Sequence, residues 1–199
     1  LNTQTWSVIS GMGDPEKRVE AMDSVARYLD TDLGVCKIWP AMENYPSKED
    51  PLTYYNKGCG ENGSVFCHAN TWAIIAECML GRADRAYKYY KQLLPMEAQK
   101  RAGEERYRAE PYVYSSNIFG PESNRFGLAN VSWLTGTAAW MYLAVTQYLL
   151  GVRPTFEGLE VKPCLPAEML PAQVTRRFRG KTYHILIKSN EDVQVTVEA

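Results

Sequence analysis

Residues 65–80 would form a helix that is apolar on nearly every side, and this constrains the fold more than any other feature. Trp72, Ile75, Ala76 and Met79 make one face, while Ala73, Ile74 and Leu80 widen it until little polar surface remains. Such a helix is predicted to be buried on several sides. A second, almost wholly apolar helix is predicted over residues 137–150, stopping at Gly151. Between them residues 83–94, with Arg82, Arg85, Lys88 and Lys91, read as an amphipathic, solvent-facing helix that Pro95 ends. Asp14-Pro15-Glu16 reads as an N-cap, a first-turn proline and a favourable acid, opening a further helix over residues 16–29. Buried helices alternating with amphipathic ones suit concentric helix layers, an inner ring inside an outer one.

After Gly151 the pattern changes. Pro154, Pro163, Pro166 and Pro171 punctuate short segments, and residues 182–188 and 193–198 alternate as strands do. Residues 152–199 are therefore expected to begin a small β-sandwich packed on a helical part formed by residues 1–151. The stretches 31–63 and 99–133 read as loops longer than a compact bundle needs, which points to function.

Bulk properties exclude several classes. A formal net charge of −1 and a pI near 6.2 give no basic footprint for nucleic acid. No apolar run approaches the roughly 20 residues that span a bilayer, and no signal peptide is visible. The chain begins at Leu1 without Met, so a fragment of a longer protein is expected. Five scattered cysteines without a CxxC pair argue against zinc or a disulfide framework and for a reduced, cytoplasmic setting. No metal or cofactor is expected, and each cysteine reads as a small buried hydrophobe.

Two segments carry candidate chemistry. In residues 61–72 a polar cluster precedes His68 where a loop turns into the first apolar helix; residues 132–137 open the second. Helix starts have free backbone N–H groups and a partial positive charge, so two of them could converge on an oxyanion such as phosphate. For His68 the alternatives are a hydrogen-bonded core residue or a group that holds an anionic substrate. Thr135-Gly136-Thr137 is either a cap, with Gly136 supplying an unusual backbone angle, or a turn where Gly136 leaves room for a ligand oxygen. The loop acids Glu49, Asp50, Glu61 and Glu110 are candidate proton donors for glycosidic cleavage, although lone loop acids are usually just solvated. Trp39, Tyr45, Tyr54, Tyr55, Tyr107, Tyr112, Tyr114 and Trp133 lie in or beside the two long loops, and such amphipathic rings suit the faces of sugars.

Taken in order, several motifs resemble the cellobiose phosphorylases and their chitobiose, cellodextrin and laminaribiose relatives, glycoside hydrolase family 94. They are Gln4-Thr5-Trp6, Glu61-Asn62-Gly63 with Phe66-Cys67-His68, Ala109-Glu110-Pro111-Tyr112-Val113, Ser132-Trp133-Leu134-Thr135-Gly136-Thr137, Leu150-Gly151-Val152-Arg153-Pro154, Pro163-Cys164-Leu165-Pro166 and Arg177-Phe178-Arg179-Gly180. The resemblance implies a mostly α chain: the C-terminal part of an (α/α)6 barrel over residues 1–151, then a C-terminal β-sandwich over 152–199. It implies phosphorolysis of a β-glycosidic bond with inversion, cellobiose-like by default, giving α-glucose 1-phosphate. Inorganic phosphate is then a substrate rather than a cofactor. By the family pattern His68, Thr135 and Gly136 bind that phosphate, and Glu61 and Tyr55 lie around the leaving sugar. The family's general-acid Asp and its phosphate-binding arginines match nothing here and are expected upstream, in the remaining N-terminal part of the enzyme. Many members have Lys where this chain has Gly60, and some have Gln where Ser116 stands, which leaves the leaving sugar open. The resemblance also suggests a homodimer. Cellodextrin, cellobionic acid or chitobiose phosphorolysis is the alternative within the family. Outside it stand an inverting hydrolase and a non-catalytic carbohydrate-binding protein.

Overall fold

The computed structural model describes residues 1–43 and 55–198. Helices dominate as far as residue 149: α1 (Asn2–Ile9), α2 (Pro15–Tyr28), α3 (Cys67–Met79), α4 (Ala83–Leu93), α5 (Pro95–Ala102), α6 (Glu104–Tyr107) and α7 (Thr137–Leu143). A π-helical segment, Ala144–Leu149, prolongs α7. Among the described residues no helix is long and apolar enough to cross a membrane.

The apolar stretch becomes α3, and α3 is the centre of the packing. It contacts α1, α4, α7 and the π-helical segment. Ala69, Ala73, Ile74, Ile75 and Ala76 are all buried. Burying each isoleucine contributes about 1.5–3 kcal/mol. Small alanines on several faces let neighbouring helices approach from more than one direction. The buried residues of α3 also include Glu77, which has no exposed surface. Arg82 and Arg85 turn towards it, each with a guanidinium nitrogen 3.5 Å from its carboxylate, and both also pair with Asp23 of α2. Two of the cations expected to face only solvent therefore neutralise a buried acid.

Local chemistry sets the helix bounds. Asp14 caps α2 by accepting from the Glu16 N–H at 2.8 Å, and Pro15 occupies the first turn. Ala86, Tyr89, Gln92 and Leu93 form the buried stripe of α4. Pro95 ends α4 as expected but also starts α5, because its fixed φ and missing N–H suit a first helical position. Residues 99–133 are not one long loop. They hold the end of α5, α6, β4 (Ser115–Ile118) and β5 (Ala129–Ser132).

One small sheet sets how the two apolar helices begin. β3 (Val65–Phe66) pairs antiparallel with β4, and β4 pairs antiparallel with β5. β3 runs directly into α3, and β5 leads through a short turn into α7. The starts of the two apolar helices are thus hung from the two edges of a single three-stranded sheet. At the start of the stretch 31–63, β1 (Asp30–Thr31) and β2 (Gly34–Val35) form a further pair.

From Val152 onward strands take over. β6 (Val152–Pro154) pairs with β7 (Leu159–Val161), and β8 (Ala172–Phe178), β9 (Lys181–Ile187) and β10 (Val193–Glu198) form an antiparallel meander. The Cys164 N–H donates to the Leu149 carbonyl at 2.8 Å and the Lys162 N–H to Gly151 at 2.9 Å, tying this part to the last helical turn.

Candidate functional site

His68 is the second residue of α3, and its ring stands in an aromatic enclosure. Ring centroids lie 4.9 Å away for Trp72, 5.9 Å for Trp140 and 6.4 Å for Phe66. Trp6 of α1 adds an edge contact to Trp72 at 5.4 Å. Trp72 follows His68 by one helical turn and Trp140 follows Gly136 by one turn, so both indoles project beside the openings of their own helices.

The two openings meet. A Cβ placed on Gly136 would lie 3.0 Å from His68 Cε1 and 3.1 Å from Nδ1. Gly136 has φ −79 and ψ 2, a conformation open to any residue. The expectation of an unusual backbone angle is therefore corrected: glycine lets the imidazole rest against the backbone here, where a Cβ would press on the ring. Next to it, the Thr135 hydroxyl accepts from the Thr137 N–H at 3.2 Å and shares a hydrogen bond with the Thr137 hydroxyl at 2.6 Å.

The His68 ring itself is neutral. Burial lowers the His68 pKa below the ordinary imidazole value, so the ring is neutral at pH 7 and carries one N–H and one lone pair. His68 Nε2 and Trp72 Nε1 are buried and find no hydrogen-bond partner among the described residues. Buried polar atoms are rarely left so, and these two lie side by side. Cys67, adjacent in sequence, is fully buried and its thiol is pushed up to about 12, so it is a core residue rather than a nucleophile activated by His68.

The approach to α7 carries backbone strain. Val131 (φ 55) and Trp133 (φ 72) are both left-handed, costing on the order of 1–3 kcal/mol each. Glu110 secures this turn by accepting from the Trp133 indole N–H at 3.1 Å. Its own backbone N–H, that indole and the Ser132 hydroxyl hold the Glu110 carboxyl below its ordinary value. Glu110 is thus an ionised anchor, unsuited to donate a proton.

Glu61 and Tyr55 lie on the segment that enters β3. Glu61 forms an ion pair with Lys37, whose ammonium also sits 4.7 Å from the centroid of Phe66. Phe66 in turn stacks on His68, so the connection from Glu61 to the histidine runs through Lys37 and one ring. Tyr55 is half-exposed and lies over Gly60, where a Cβ would come within 2.4 Å of its ring. Asn62 is buried and fixes the segment by accepting from the Met42 N–H and donating to the Met42 and Tyr55 carbonyls. Tyr45, Glu49, Asp50 and Tyr54 lie outside the described residues.

The other aromatic candidates divide. Tyr107 is buried and Tyr114 packs against the core, so these two are structural. Tyr112 and Trp133 are exposed, as is Trp39, which stacks on Tyr28. Sequence reasoning treated Trp72 only as core, named Phe66 only within a motif, and overlooked Lys37 and Trp140. The spacing of four from His68 to Trp72 and from Gly136 to Trp140 was the one signal for the two indoles; a lone lysine gave none.

Comparison with known proteins places the chain in a family. The sequence profile described as the Glycosyl hydrolase 94 superfamily, catalytic domain, matches residues 1–151. An N,N'-diacetylchitobiose phosphorylase of Vibrio proteolyticus is 40% identical over 199 residues, covering 100% of this chain and 25% of that protein. The solabiose phosphorylase of Paenibacillus borealis is 34% identical over 194 residues, 98% of this chain and 25% of that protein. A cyclic beta-(1,2)-glucan synthase, NdvB, of Rhizobium meliloti is 35% identical over 96% of this chain and 7% of its own length. The chain spans about a quarter of the length of the phosphorylases it matches. On the profile match and these identities, the chain belongs to the glycosyl hydrolase 94 superfamily.

Proposed function

We propose that this chain forms the phosphate-binding side of an inverting disaccharide phosphorylase. The observation that carries the reading is the contact of His68 with Gly136, which brings two helix openings and two unpartnered buried ring nitrogens to one place. The phosphorylase names of the relatives support it. In this reading inorganic phosphate is held by His68, Thr135 and Gly136, with backbone N–H groups at the helix starts adding donors. A phosphate oxygen attacks the anomeric carbon as the glycosidic C–O bond breaks, and inversion yields an α-sugar 1-phosphate. Phosphate stands where water stands in an inverting hydrolase, so one general acid suffices to protonate the leaving oxygen. That acid, an aspartate, comes from outside these residues, as does the rest of the barrel.

Residues 1–151 form the C-terminal part of an (α/α)6 barrel in this proposal, and residues 152–199 the β-sandwich that follows it. Glu61 and Tyr55 line the leaving-sugar side. The substrate is a β-glucosidic disaccharide of the cellobiose type giving α-glucose 1-phosphate. N,N'-diacetylchitobiose is the second reading, favoured by the 40% identity to an enzyme of that name. Five free thiols suit a reducing cytoplasm, and a homodimer is the proposed assembly.

Turnover of the full-length protein tests this. Cleavage should require inorganic phosphate and release a sugar 1-phosphate whose anomeric configuration, read by NMR, is α from a β-linked substrate. His68→Ala should raise the KM for phosphate roughly tenfold or more, the loss of one well-placed donor to an anion, with little change in the KM for sugar. Equal phosphate affinity in variant and parent would remove His68 from the role.

A further inference from the structure

Lys37 takes no part in holding phosphate, yet its side chain is one of the most constrained cations in the molecule. Only 15% of it is exposed. Its ammonium is held by the Glu61 carboxylate and by the face of Phe66. Its backbone N–H donates to the Ser64 carbonyl at 2.8 Å, and the Ser64 hydroxyl donates to the Gly60 carbonyl at 2.6 Å. Lys37 therefore grips the segment 60–66 at its main chain and at two side chains. The Asn62 hydrogen bonds already fix the backbone of that segment. What Lys37 adds is the direction in which the Glu61 carboxylate points.

We propose that Lys37 is the positioning and specificity-determining residue of the leaving-sugar side, forming with Glu61 a paired donor and acceptor for adjacent sugar hydroxyls. The chemistry comes from the inventory of each group. An ammonium has three N–H donors, of which the ion pair takes one. The carboxylate uses Oε2 for Lys37, and among the described residues Oε1 has no partner and can accept. Donor and acceptor side by side match a vicinal pair of hydroxyls, one accepting and one donating. A carboxylate alone would accept from either hydroxyl and discriminate poorly. A partly exposed ion pair contributes little to stability, so folding alone does not account for how closely Lys37 is held. The same ammonium leans on Phe66, which stacks on His68, so the sugar side and the proposed phosphate side share one wall. The assignment rests on the phosphorolysis reading for the identity of the sugar as the leaving group.

The test uses the full-length protein in the synthetic direction, with glucose 1-phosphate as donor and glucose or its single-deoxy analogues as acceptors. Lys37→Met should raise the acceptor KM about tenfold, as loss of a hydrogen bond from a charged donor does, and leave the KM for glucose 1-phosphate within about twofold. It should also flatten the penalty for the one deoxy acceptor that lacks the hydroxyl Lys37 reads. Lys37→Arg keeps the charge and should recover part of the loss. An unchanged acceptor KM overturns the proposal. So does a joint rise of both KM values with a lowered Tm, which marks a purely structural lysine. Acceptor binding is also followed without turnover, by saturation-transfer NMR with glucose on parent and Lys37→Met. Binding that depends on Lys37 in a protein that makes no disaccharide from these sugars would refute the cellobiose-type reading and keep the sugar-reading pair. Binding indifferent to Lys37 would refute the pair whatever the reaction.

Discussion

Gly136→Ala separates function from fold at this site. A methyl group would sit 3.0 Å from His68 Cε1 and 3.1 Å from Nδ1, where ordinary contact begins near 3.4 Å. The imidazole must therefore retreat by about 0.3–0.4 Å, because that overlap lies on the steep part of the repulsive wall. It cannot do so freely, since Trp72, Trp140 and Phe66 surround it and close packing transmits the strain. A side chain forced off its rotamer costs on the order of 0.5–1.5 kcal/mol. Against this, φ −79 and ψ 2 suit alanine, and removing a glycine gains about 0.4–1 kcal/mol through the unfolded chain. The net change in stability should stay within about 1 kcal/mol, or roughly 2–4 °C in Tm for a domain of this size. Function is more sensitive. A misplacement of about 1 Å can cost ~100-fold, so a few tenths of an ångström on a ligand donor should raise the KM for phosphate roughly three- to tenfold. Phosphate-dependent initial rates and a thermal melt of the same preparation give both numbers. An unchanged phosphate KM with an unchanged Tm would refute the argument that the imidazole and its glycine form one site.

Two further substitutions test the scaffold. Asn70 is buried and holds the Val35 N–H and carbonyl and the Phe66 carbonyl, at 2.7, 2.9 and 2.9 Å; Asn70→Ala should cost about 2–4 kcal/mol in a urea titration by leaving these groups unpaired, and a loss below about 1 kcal/mol would show that they find other partners. Glu77 has its carboxyl pKa raised, burial outweighing the attraction of Arg85 and Arg82. The folded state therefore binds the proton more tightly than the unfolded chain, and stability falls as pH rises from the unfolded carboxylate pKa through the folded one. Glu77→Gln should flatten that decline in urea midpoints taken from about pH 4 to pH 8, and parallel curves for variant and parent would count against the assignment.

Local features of the fold were legible because they are written in neighbouring residues. Asp14-Pro15 marks the start of α2 through one cap and one fixed φ. The breadth of the apolar face of α3 announced burial on several sides, and Ala73, Ile74, Ile75 and Ala76 are all buried. What stayed hidden was non-local. The pairing of Val65 with Ile118 and of Ser115 with Ser132 joins segments that carry no shared pattern. Strands of two to four residues are too short for an alternation to be seen. Glu77 reads as a polar interruption of an apolar helix, and only its distance to Arg82 and Arg85 shows why it is tolerated. At the site, the sequence could name His68 and the Thr135–Gly136 turn, but not the reason for the glycine. That reason is a contact between residues 68 positions apart.

The character of His68 bears on how a nucleophile would be held. In the proposed assembly the cationic share of the phosphate site falls to the arginines expected upstream, and His68 supplies a neutral donor. Neutral donors and the partial charge at a helix start attract an anion while leaving more of its charge on the oxygens. The enclosure of Trp72, Trp140 and Phe66 favours the neutral form of the imidazole by keeping water from it, which is the cause of its lowered pKa. In phosphorolysis the same exclusion of water would protect the anomeric centre from hydrolysis, the competing reaction at an inverting site. In the proposed reaction one aromatic wall would then serve two requirements, a nucleophile kept reactive and a competitor kept out. It can do so only where two helix starts lie within a ring's width of each other, and the β3–β4–β5 sheet holds them there.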